Sequence, residues 1–463
     1  MSGTRQKTQS TQRRLAFEEE RRGEALDADN EGTEPLVAKR DPESPADESR
    51  LMEEVCERAN VKKAWQRVRA NKGGPGVDGL TIGATSDYLR EHWPTIRCQL
   101  LEETYAPQPV KRVEIPKPEG GVRKLGVPCV VDRLIQQALL QILQPSWDRT
   151  FCEHSYGFRP GRCAHQAVAQ AQRYVAAGYS YVVDIDLEKF FDRVNHDHLM
   201  ARVARRVSDK RVLKLIRAFL DAGVMENGLV SAAGEGTPQG GPLSPLLSNL
   251  VLDEFDQELA RRGHRFCRYA DDCNIYVRSR RAGERVMASV CQYLATKLRL
   301  TVNPSKSAVA RPAERQFLGF SLSNDGRERR IAPSALSRFK QRVRELTHRT
   351  RGVSLEQLIE PLARYLIGWR GYFGFCQTPF VLLALDARIR RRLRMYLWRQ
   401  WRHPRTRFTE LRRLGVATFN AAVAAGSPTS LWRMSSHPAL QIALRNDYFD
   451  RLGLPRVAHG SDA

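Results

Sequence analysis

The sequence lacks the features that mark secreted, disulfide-linked or membrane-spanning proteins. Its nine cysteines are scattered and include no C-x-x-C pair, which argues against a disulfide framework or a zinc ribbon and fits a reducing interior. It contains no run of about 18 apolar residues, so we expect no transmembrane helix. Residues 1–7 lack the apolar segment of a secretory signal, and no internal repeat is visible. We therefore predict a soluble, intracellular protein.

Positive charge is in large excess and is unevenly distributed. The 463 residues include 75 Lys and Arg against 52 Asp and Glu, a net charge of +23. Residues 1–50 are polar and net acidic, which predicts a disordered tail. Residues 331–420 contain nineteen Lys and Arg but five Asp and Glu, interleaved with aromatic residues. A solvated helical face is one explanation, but basic and aromatic residues together favour binding to nucleic acid.

Local patterns predict a mixed first part and a helical second part. Residues 181–186 form an apolar strand interrupted by two acids, and residues 265–269 and 274–277 flank a tight hairpin turn. An amphipathic helix is expected over residues 243–259, after a loop rich in Gly and Pro. From about residue 335 the sequence is rich in Arg and predicts helices throughout.

Four aspartates lie in or beside the predicted strands, where an unpaired carboxylate is costly. Asp184 and Asp186 are two residues apart and so share one face of their strand, whereas Asp271 and Asp272 lie at the hairpin tip. Adjacent acids in a turn are often ordinary turn residues. The apolar strands on both sides and the second pair of acids favour a Mg²⁺ site instead. Two ions about 3.5–4 Å apart can activate a 3′-hydroxyl and hold pyrophosphate.

Nine segments follow one another in an order that is typical of one family. They are residues 71–79, 115–133, 155–161, 184–192, 236–249, 303–306, 317–320 and 368–373, together with Tyr269-Ala-Asp-Asp272. The run at 236–249, Gly-Thr-Pro-Gln-Gly-Gly-Pro-Leu-Ser-Pro-Leu-Leu-Ser-Asn, is the most distinctive. With these segments the chain resembles the group II intron-encoded reverse transcriptase/maturase family.

The resemblance implies an α+β right-hand polymerase, in which fingers and a palm with a small antiparallel sheet precede an all-helical thumb. Four regions are then expected: a disordered acidic tail at 1–50, fingers and palm at 51–330, the maturase-specific thumb (domain X) at 331–404, and a small DNA-binding region at 405–463. Some family members continue into a Cys- and His-bearing endonuclease. The last cysteine here is Cys376, so we expect no endonuclease domain.

This expected absence and the C-terminal region suggest the bacterial class C lineage. Integration would then need a primer other than a self-made nick, for example a nascent DNA strand at a replication fork. The expected location is the bacterial cytoplasm, at the nucleoid when the protein acts on DNA.

The same resemblance implies the active site. Asp186, Asp271 and Asp272 would be the catalytic residues and would bind two Mg²⁺ ions, for which Mn²⁺ could substitute. Asp184 ranks below them, because it precedes the matching position by two residues. A role as the partner of a nearby basic group is about as well supported for Asp184 as a catalytic one. The ring of Phe191 would exclude a 2′-hydroxyl and select deoxynucleotides, unless it is an ordinary core residue. The other expected contacts to the dNTP are Lys117, Arg123, Arg133, Gln239 and Lys306, of which Lys306 could also be a solvated lysine.

Assistance to splicing is a separate activity, in which the intron RNA is the catalyst and the protein stabilises its fold. The residues expected to contact RNA are Arg159, Arg370, Arg388, Arg391, Arg392 and Arg394. Arginines nearly surround the helix predicted at 386–394, so one face is expected to meet RNA and another to be solvated. The expected partners are the group II intron RNA, an RNA template with its DNA primer, and a DNA target.

We therefore predict an RNA-dependent DNA polymerase that also assists splicing and retrohoming of its intron. One alternative is a maturase with a vestigial polymerase, in effect an RNA-folding cofactor, which the complete set of polymerase motifs disfavours. Another is a host-adapted reverse transcriptase free of an intron, which the domain X match disfavours. A viral RNA polymerase ranks last, because of Phe191 and the same match.

Overall fold

Strands and helices are mixed in the first part of the chain, and helices alone follow in the described residues after 331. The computed structural model describes residues 50–116, 122–226, 229–231 and 240–458. The predicted tail up to residue 49 and the predicted nucleotide contacts Lys117 and Gln239 lie outside these ranges. Among the described helices, none is both long and apolar enough to cross a membrane.

The strands found in the described ranges belong to three sheets. They are β1 (Val110–Pro116), β2 (Val122–Val127), β3 (Tyr181–Asp186), β4 (Val224–Glu226), β5 (Leu229–Ser231), β6 (Arg265–Tyr269), β7 (Asp272–Val277), β8 (Ala308–Ala310), β9 (Phe320–Leu322) and β10 (Arg329–Ile331). The central sheet has the order β6-β7-β3-β8 and is antiparallel throughout. A second sheet has the order β2-β1-β4-β5, and β9 pairs with β10. The predicted strand at 181–186, the hairpin and the small antiparallel sheet are thus confirmed.

Nine helices surround these strands in the described residues of the first part. They are α1 (Leu51–Val55), α2 (Arg58–Ala70), α3 (Ile82–Leu101), α4 (Val130–Asp148), α5 (Ala164–Ala176), α6 (His196–Ala204), α7 (Lys210–Asp221), α8 (Ser244–Arg261) and α9 (Arg280–Tyr293). The predicted helix at 243–259 is confirmed as α8, which has proline in its first turn. Helices α3, α6 and α9 begin at polar residues whose side chains accept a backbone N–H: Thr81, Asn195 and Ser279.

Eight helices make up the second part as the structure describes it. They are α10 (Pro333–Leu346), α11 (Leu355–Phe373), α12 (Pro379–Gln400), α13 (Pro404–Arg413), α14 (Thr418–Gly426), α15 (Leu431–Met434), α16 (Pro438–Ala443) and α17 (Asn446–Arg451). Their hydrophobic core is continuous from Ile331 to Ala458. It therefore runs across the boundary expected at residue 404, because the short helices after that point cover apolar side chains of α11 and α12 such as Leu362 and Leu393.

An aromatic cluster joins the two parts. Phe320 of β9 packs against Tyr372 and Phe373 of α11 and against Phe375, with ring centroids 5.4–6.2 Å apart. The Tyr372 hydroxyl donates a hydrogen bond of 2.8 Å to the Leu318 carbonyl. The first part thus contacts the helical part through side chains that are buried or half-buried.

Asp132, in the first turn of α4, is a buried carboxyl that ties this helix to the chain before β1. It accepts hydrogen bonds from the Tyr105 hydroxyl (2.7 Å) and the Gln108 backbone N–H (3.2 Å). Burial raises the pKa of Asp132 to about 6, although these two hydrogen bonds oppose the change.

Replacing Asp132 by Asn should remove a pH dependence of folding. The folded chain binds the carboxyl proton of Asp132 more tightly than the unfolded chain does. The protonated carboxyl therefore adds stability below about pH 4. That contribution is lost as the pH rises through about 6. The unfolding free energy of wild type should fall by roughly 3 kcal/mol relative to Asp132→Asn between about pH 4 and 7.

Urea denaturation at each pH measures this difference, with Asp87→Asn as the control. The Asp87 side chain is 78% exposed, so its variant should follow wild type at every pH. A constant difference between wild type and Asp132→Asn would contradict the prediction.

Candidate active site

The central sheet places two of the predicted catalytic aspartates side by side. Asp186 ends β3 and Asp272 begins β7, and the two are directly paired in the antiparallel register. Asp271 lies in the turn just before Asp272, and Ala270 makes that turn with a left-handed φ of 58°. Asp186, Asp271 and Asp272 therefore lie at one end of two neighbouring strands, as the sequence predicted.

Asp184 lies on β3, as Asp186 does, and is paired with Arg315. Arg315 donates two hydrogen bonds to its Oδ2, from Nε (2.8 Å) and Nη2 (2.5 Å). Nη2 also contacts the Lys306 carbonyl. Burial raises the pKa of Asp184, while Arg315 opposes that rise. Of the two roles expected for Asp184, the structure favours the pairing with a basic group.

Asp186 is held by residues 303–307, which comprise the expected Asn303-Pro-Ser-Lys306 motif and the residue after it. Its backbone N–H donates to the Ser307 hydroxyl (2.9 Å), and its carbonyl accepts from the Asn303 N–H (2.8 Å). The Lys306 ammonium lies 3.7 Å from Asp186 Oδ2 and is 60% exposed. Lys306 is thus next to a predicted catalytic aspartate and remains open to a ligand.

The carboxylates of this site repel one another. Burial raises the pKa of Asp272 well above its ordinary value, and Asp184, Asp271 and Asp186 raise it further. Across the described ranges, no three His, Cys, Asp or Glu side chains are grouped closely enough to hold a metal ion as they stand. The donor chemistry nevertheless fits a hard divalent cation, because the adjacent acids supply oxygen ligands and negative charge.

The expected nucleotide contacts are distributed over several elements. Phe191 lies in the short 3₁₀ turn Phe190–Asp192, which begins four residues after the end of β3, and is half-buried, with its ring 5.3 Å from that of Phe190. Arg133 of α4 is buried and donates from Nη2 to the Gly74 carbonyl in the loop at 71–79. Arg123 lies in β2 opposite Ile115, and its side chain is outside the described part.

Two of the six arginines expected to contact RNA are used inside the protein. The Arg159 side chain is 6% exposed and donates to Asp148 Oδ1 (2.8 Å) and to the carbonyls of Cys152 and Ser155. Arg392 is buried and donates to the hydroxyl and the carbonyl of Thr347. The structure corrects the expectation for Arg159 and Arg392, whose side chains are buried and donate to groups inside the protein.

The other four are more accessible. Arg391 lies 4.0 Å from the ring centroid of Trp432, Arg370 donates to the Arg456 carbonyl, and Arg394 donates to the Leu444 carbonyl. Arg388 is half-buried. Because these contacts use only part of each guanidinium, Arg370, Arg391 and Arg394 keep donors for a ligand.

Sequence reasoning missed a buried arginine in the first strand of the hairpin. Arg268 of β6 is 1% exposed and is paired with Asp256 of α8, which is 0% exposed. The signal was present, because a charged residue in the apolar run Arg265-Phe-Cys-Arg-Tyr269 needs a partner as much as a buried acid does.

Comparison with known proteins identifies the family. Residues 115–322 match the family described as reverse transcriptase (RNA-dependent DNA polymerase), and residues 336–415 match the group II intron, maturase-specific domain. The chain is 34% identical over 300 residues to protein YkfC of Escherichia coli (strain K12), an alignment that covers 56% of this chain and 79% of YkfC. The chain belongs to the group II intron reverse transcriptase/maturase family.

Other relatives agree with this family. The chain is 36% identical over 195 residues to the group II intron-encoded protein LtrA of Lactococcus lactis subsp. cremoris. This alignment covers 42% of the present chain and 32% of LtrA. It is 31% identical over 200 residues to the putative COX1/OXI3 intron 1 protein of Saccharomyces cerevisiae. This alignment covers 42% of the present chain and 23% of the yeast protein. A solved chain titled partial Cas6-RT-Cas1--Cas2 complex covers 53% of this chain and 43% of its own length at 23% identity, with a TM-score of 0.35, too low to support an inference.

The chain is thus a reverse transcriptase with a domain that assists intron splicing. Enzymes with this polymerase domain use divalent metal ions, and the maturase domain implies binding to intron RNA. A mixed helical and stranded part followed by a helical part fits this family.

The pair Arg315–Asp184 can be tested by a double-mutant cycle. Removing Arg315 leaves a buried carboxylate unpaired, whereas removing both charges does not. The unfolding free energies of wild type, Arg315→Gln, Asp184→Asn and the double variant should show a coupling of about 1.5–3 kcal/mol. Additive effects of the two substitutions would contradict the pairing.

Proposed function

We propose that this chain is a right-hand polymerase that extends a DNA primer on an RNA template and takes part in retrohoming of its group II intron. In this proposal, residues 51–330 are fingers and palm, 331–404 the thumb, and 405–463 a region that contacts the DNA target. The observation that carries the proposal is the direct pairing of Asp186 with Asp272, next to Asp271, at one end of β3 and β7.

These three aspartates would hold the divalent ions of the reaction. When bound, two Mg²⁺ ions would lower the pKa of the primer 3′-hydroxyl and stabilise charge on the transferred phosphoryl group and the leaving pyrophosphate. Asp186 is fixed for this task through its backbone hydrogen bonds to Ser307 and Asn303. Lys306, 3.7 Å from Asp186, would face the pyrophosphate and balance its charge.

The incoming nucleotide would lie beside Phe191, whose position in the first turn after β3, five residues beyond Asp186, supports a role in sensing the sugar. Arg133, Arg123, Lys117 and Gln239 would contact the triphosphate and the base. Of these, Arg133 is fixed by the loop at 71–79, so that loop would help to set the position of its guanidinium.

The helical part would bind the intron RNA. A cavity of about 570 Å³ between α12 and the last helices is lined by Arg391, Arg394 and Arg456. Arg391 over Trp432 offers a flat cationic surface, which suits stacking and phosphate contact. Arg370 and Arg388 would add contacts on α11 and α12. The class C lineage and the cytoplasmic location stay predictions.

Primer extension with Asp271→Asn tests the catalytic assignment. Wild type should synthesise cDNA on an RNA template with Mg²⁺ and dNTPs, and the variant should synthesise none, because it lacks one carboxylate ligand. Asp197→Asn is a matched control, since the Asp197 side chain is 80% exposed on α6. A wild type that is inert in Mg²⁺ and Mn²⁺ yet binds intron RNA tightly would instead indicate a folding cofactor with a vestigial polymerase.

Phe191→Ala tests sugar selection. Removing the ring should open space for a 2′-hydroxyl and raise ribonucleotide incorporation relative to deoxynucleotide incorporation by roughly 10- to 200-fold. Single-nucleotide incorporation kinetics measure the ratio of kcat/KM values. Phe419→Ala, at a phenylalanine that is 79% exposed on α14, should leave that ratio unchanged. If the ratio is unchanged in Phe191→Ala, Phe191 does not select the sugar and is an ordinary core residue.

A further inference from the structure

The buried pair Arg268–Asp256 lies beneath the turn that contains Asp271. Arg268 Nε donates to Asp256 Oδ1 at 2.7 Å, and Nη2 donates to Oδ2 at 2.5 Å. Apolar residues of similar volume often stabilise a protein as well as a buried ion pair does. Stability alone is therefore a weak reason for a charged pair in this position, and the other contacts of Arg268 are more informative.

The remaining donors of Arg268 reach the turn and two further segments. Nη1 donates to the Ala270 carbonyl (2.8 Å) and to Asn249 Oδ1 (3.1 Å), and Nη2 donates to the Ser155 hydroxyl (2.7 Å). All five N–H groups of the guanidinium are thus used. Only a planar group with several fixed donors can hold these acceptors at the same time.

Ala270 is the residue at which the turn is strained. Its φ of 58° is left-handed, a conformation that costs a non-glycine residue roughly 1–2 kcal/mol. The hydrogen bond from Arg268 to its carbonyl helps to hold that conformation. The next two residues are Asp271 and Asp272, so the direction of both carboxylates depends on this turn.

The turn is also held by the segment that contains Gly157. Gly157 packs so closely against it that a Cβ on Gly157 would lie 2.3 Å from the Ala270 nitrogen. Asn249, the residue that accepts from Arg268, donates through Nδ2 to the Gly157 carbonyl at 2.9 Å. The Arg268 backbone completes the contact, because it accepts from the Tyr156 N–H (2.8 Å) and donates to the His154 carbonyl (2.9 Å).

We infer that Arg268 is a positioning residue for nucleotidyl transfer, which fixes the Ala270 carbonyl and thereby the directions of Asp271 and Asp272. The inference rests on the proposed function, since it takes these two aspartates as ligands of the divalent ions. Arg268 itself is fully buried and acts through the turn, with Asn249 and Ser155 as its supports.

Arg268→Lys tests the inference, because it keeps the charge and loses the planar set of donors. Two measurements are made on the full chain: Mn²⁺ affinity without primer or template, from the spin resonance of free Mn²⁺, and steady-state primer extension. Loss of a group that orients a metal ligand usually costs about 10- to 100-fold in metal affinity or activity. We expect losses of that size in Mn²⁺ affinity and in kcat, with KM for dNTP unchanged.

Arg390→Lys is the matched control. Arg390 is buried to a similar degree and is paired with Asp386 and Asp450, but it lies on α12. Its variant should lose comparable thermal stability and keep the Mn²⁺ affinity of wild type. If Arg268→Lys and Arg390→Lys behave alike in Mn²⁺ affinity and kcat, Arg268 has a structural role only and the inference is overturned.

Asp271→Asn separates this failure from a failure of the proposed function. If Asp271→Asn retains both Mn²⁺ affinity and cDNA synthesis, the catalytic assignment fails, and the inference fails with it. If Asp271→Asn loses both while Arg268→Lys matches its control, only the inference fails.

Asn249→Ala replaces Arg268→Lys if the lysine variant does not fold. It leaves the pair with Asp256 intact and removes one acceptor of Nη1. A loss of Mn²⁺ affinity again supports the inference, and wild-type affinity overturns it.

Discussion

Negative charge on neighbouring strands is the constraint on which this site depends, because four aspartates are crowded at one end of β3 and β7. Each has a different environment. Arg315 neutralises Asp184, and Lys306 lies near Asp186. Burial and the other three carboxylates act on Asp272, whose pKa is raised well above its ordinary value. Such crowding persists only where the backbone is held firmly, and the paired register of the two strands provides that hold.

Much of this arrangement could be predicted from the sequence. Acids in an apolar strand and a hairpin with two acids at its tip carry their own signal, since both patterns are local. Arg315 and Arg268 could not be assigned in the same way. Arg315 is 131 residues from its partner Asp184. Arg268 is 12 residues from Asp256 but 113 from Ser155. Local spacing does not reveal contacts over such distances along the chain.

The arginines of the helical part show a second limit of sequence reasoning. Arg391 and Arg392 are neighbours on α12, but Arg391 stacks on Trp432 while Arg392 donates to Thr347 inside the protein. Composition gives the total charge of a segment and not the direction of each side chain. The long aliphatic stem of arginine packs well in a core, so a basic helix can be basic on its surface and in its interior.

The aromatic cluster between the two parts has a consequence for how this protein can be divided. The matched reverse transcriptase domain ends at residue 322 and the matched maturase domain begins at residue 336, so the chain could be divided between these two positions. Such a cut would separate Phe320 from Tyr372 and Phe375 and would expose the side chains of this cluster on both fragments. The reverse transcriptase and maturase domains therefore have separate main cores but share this aromatic cluster, and each fragment would lose that packing.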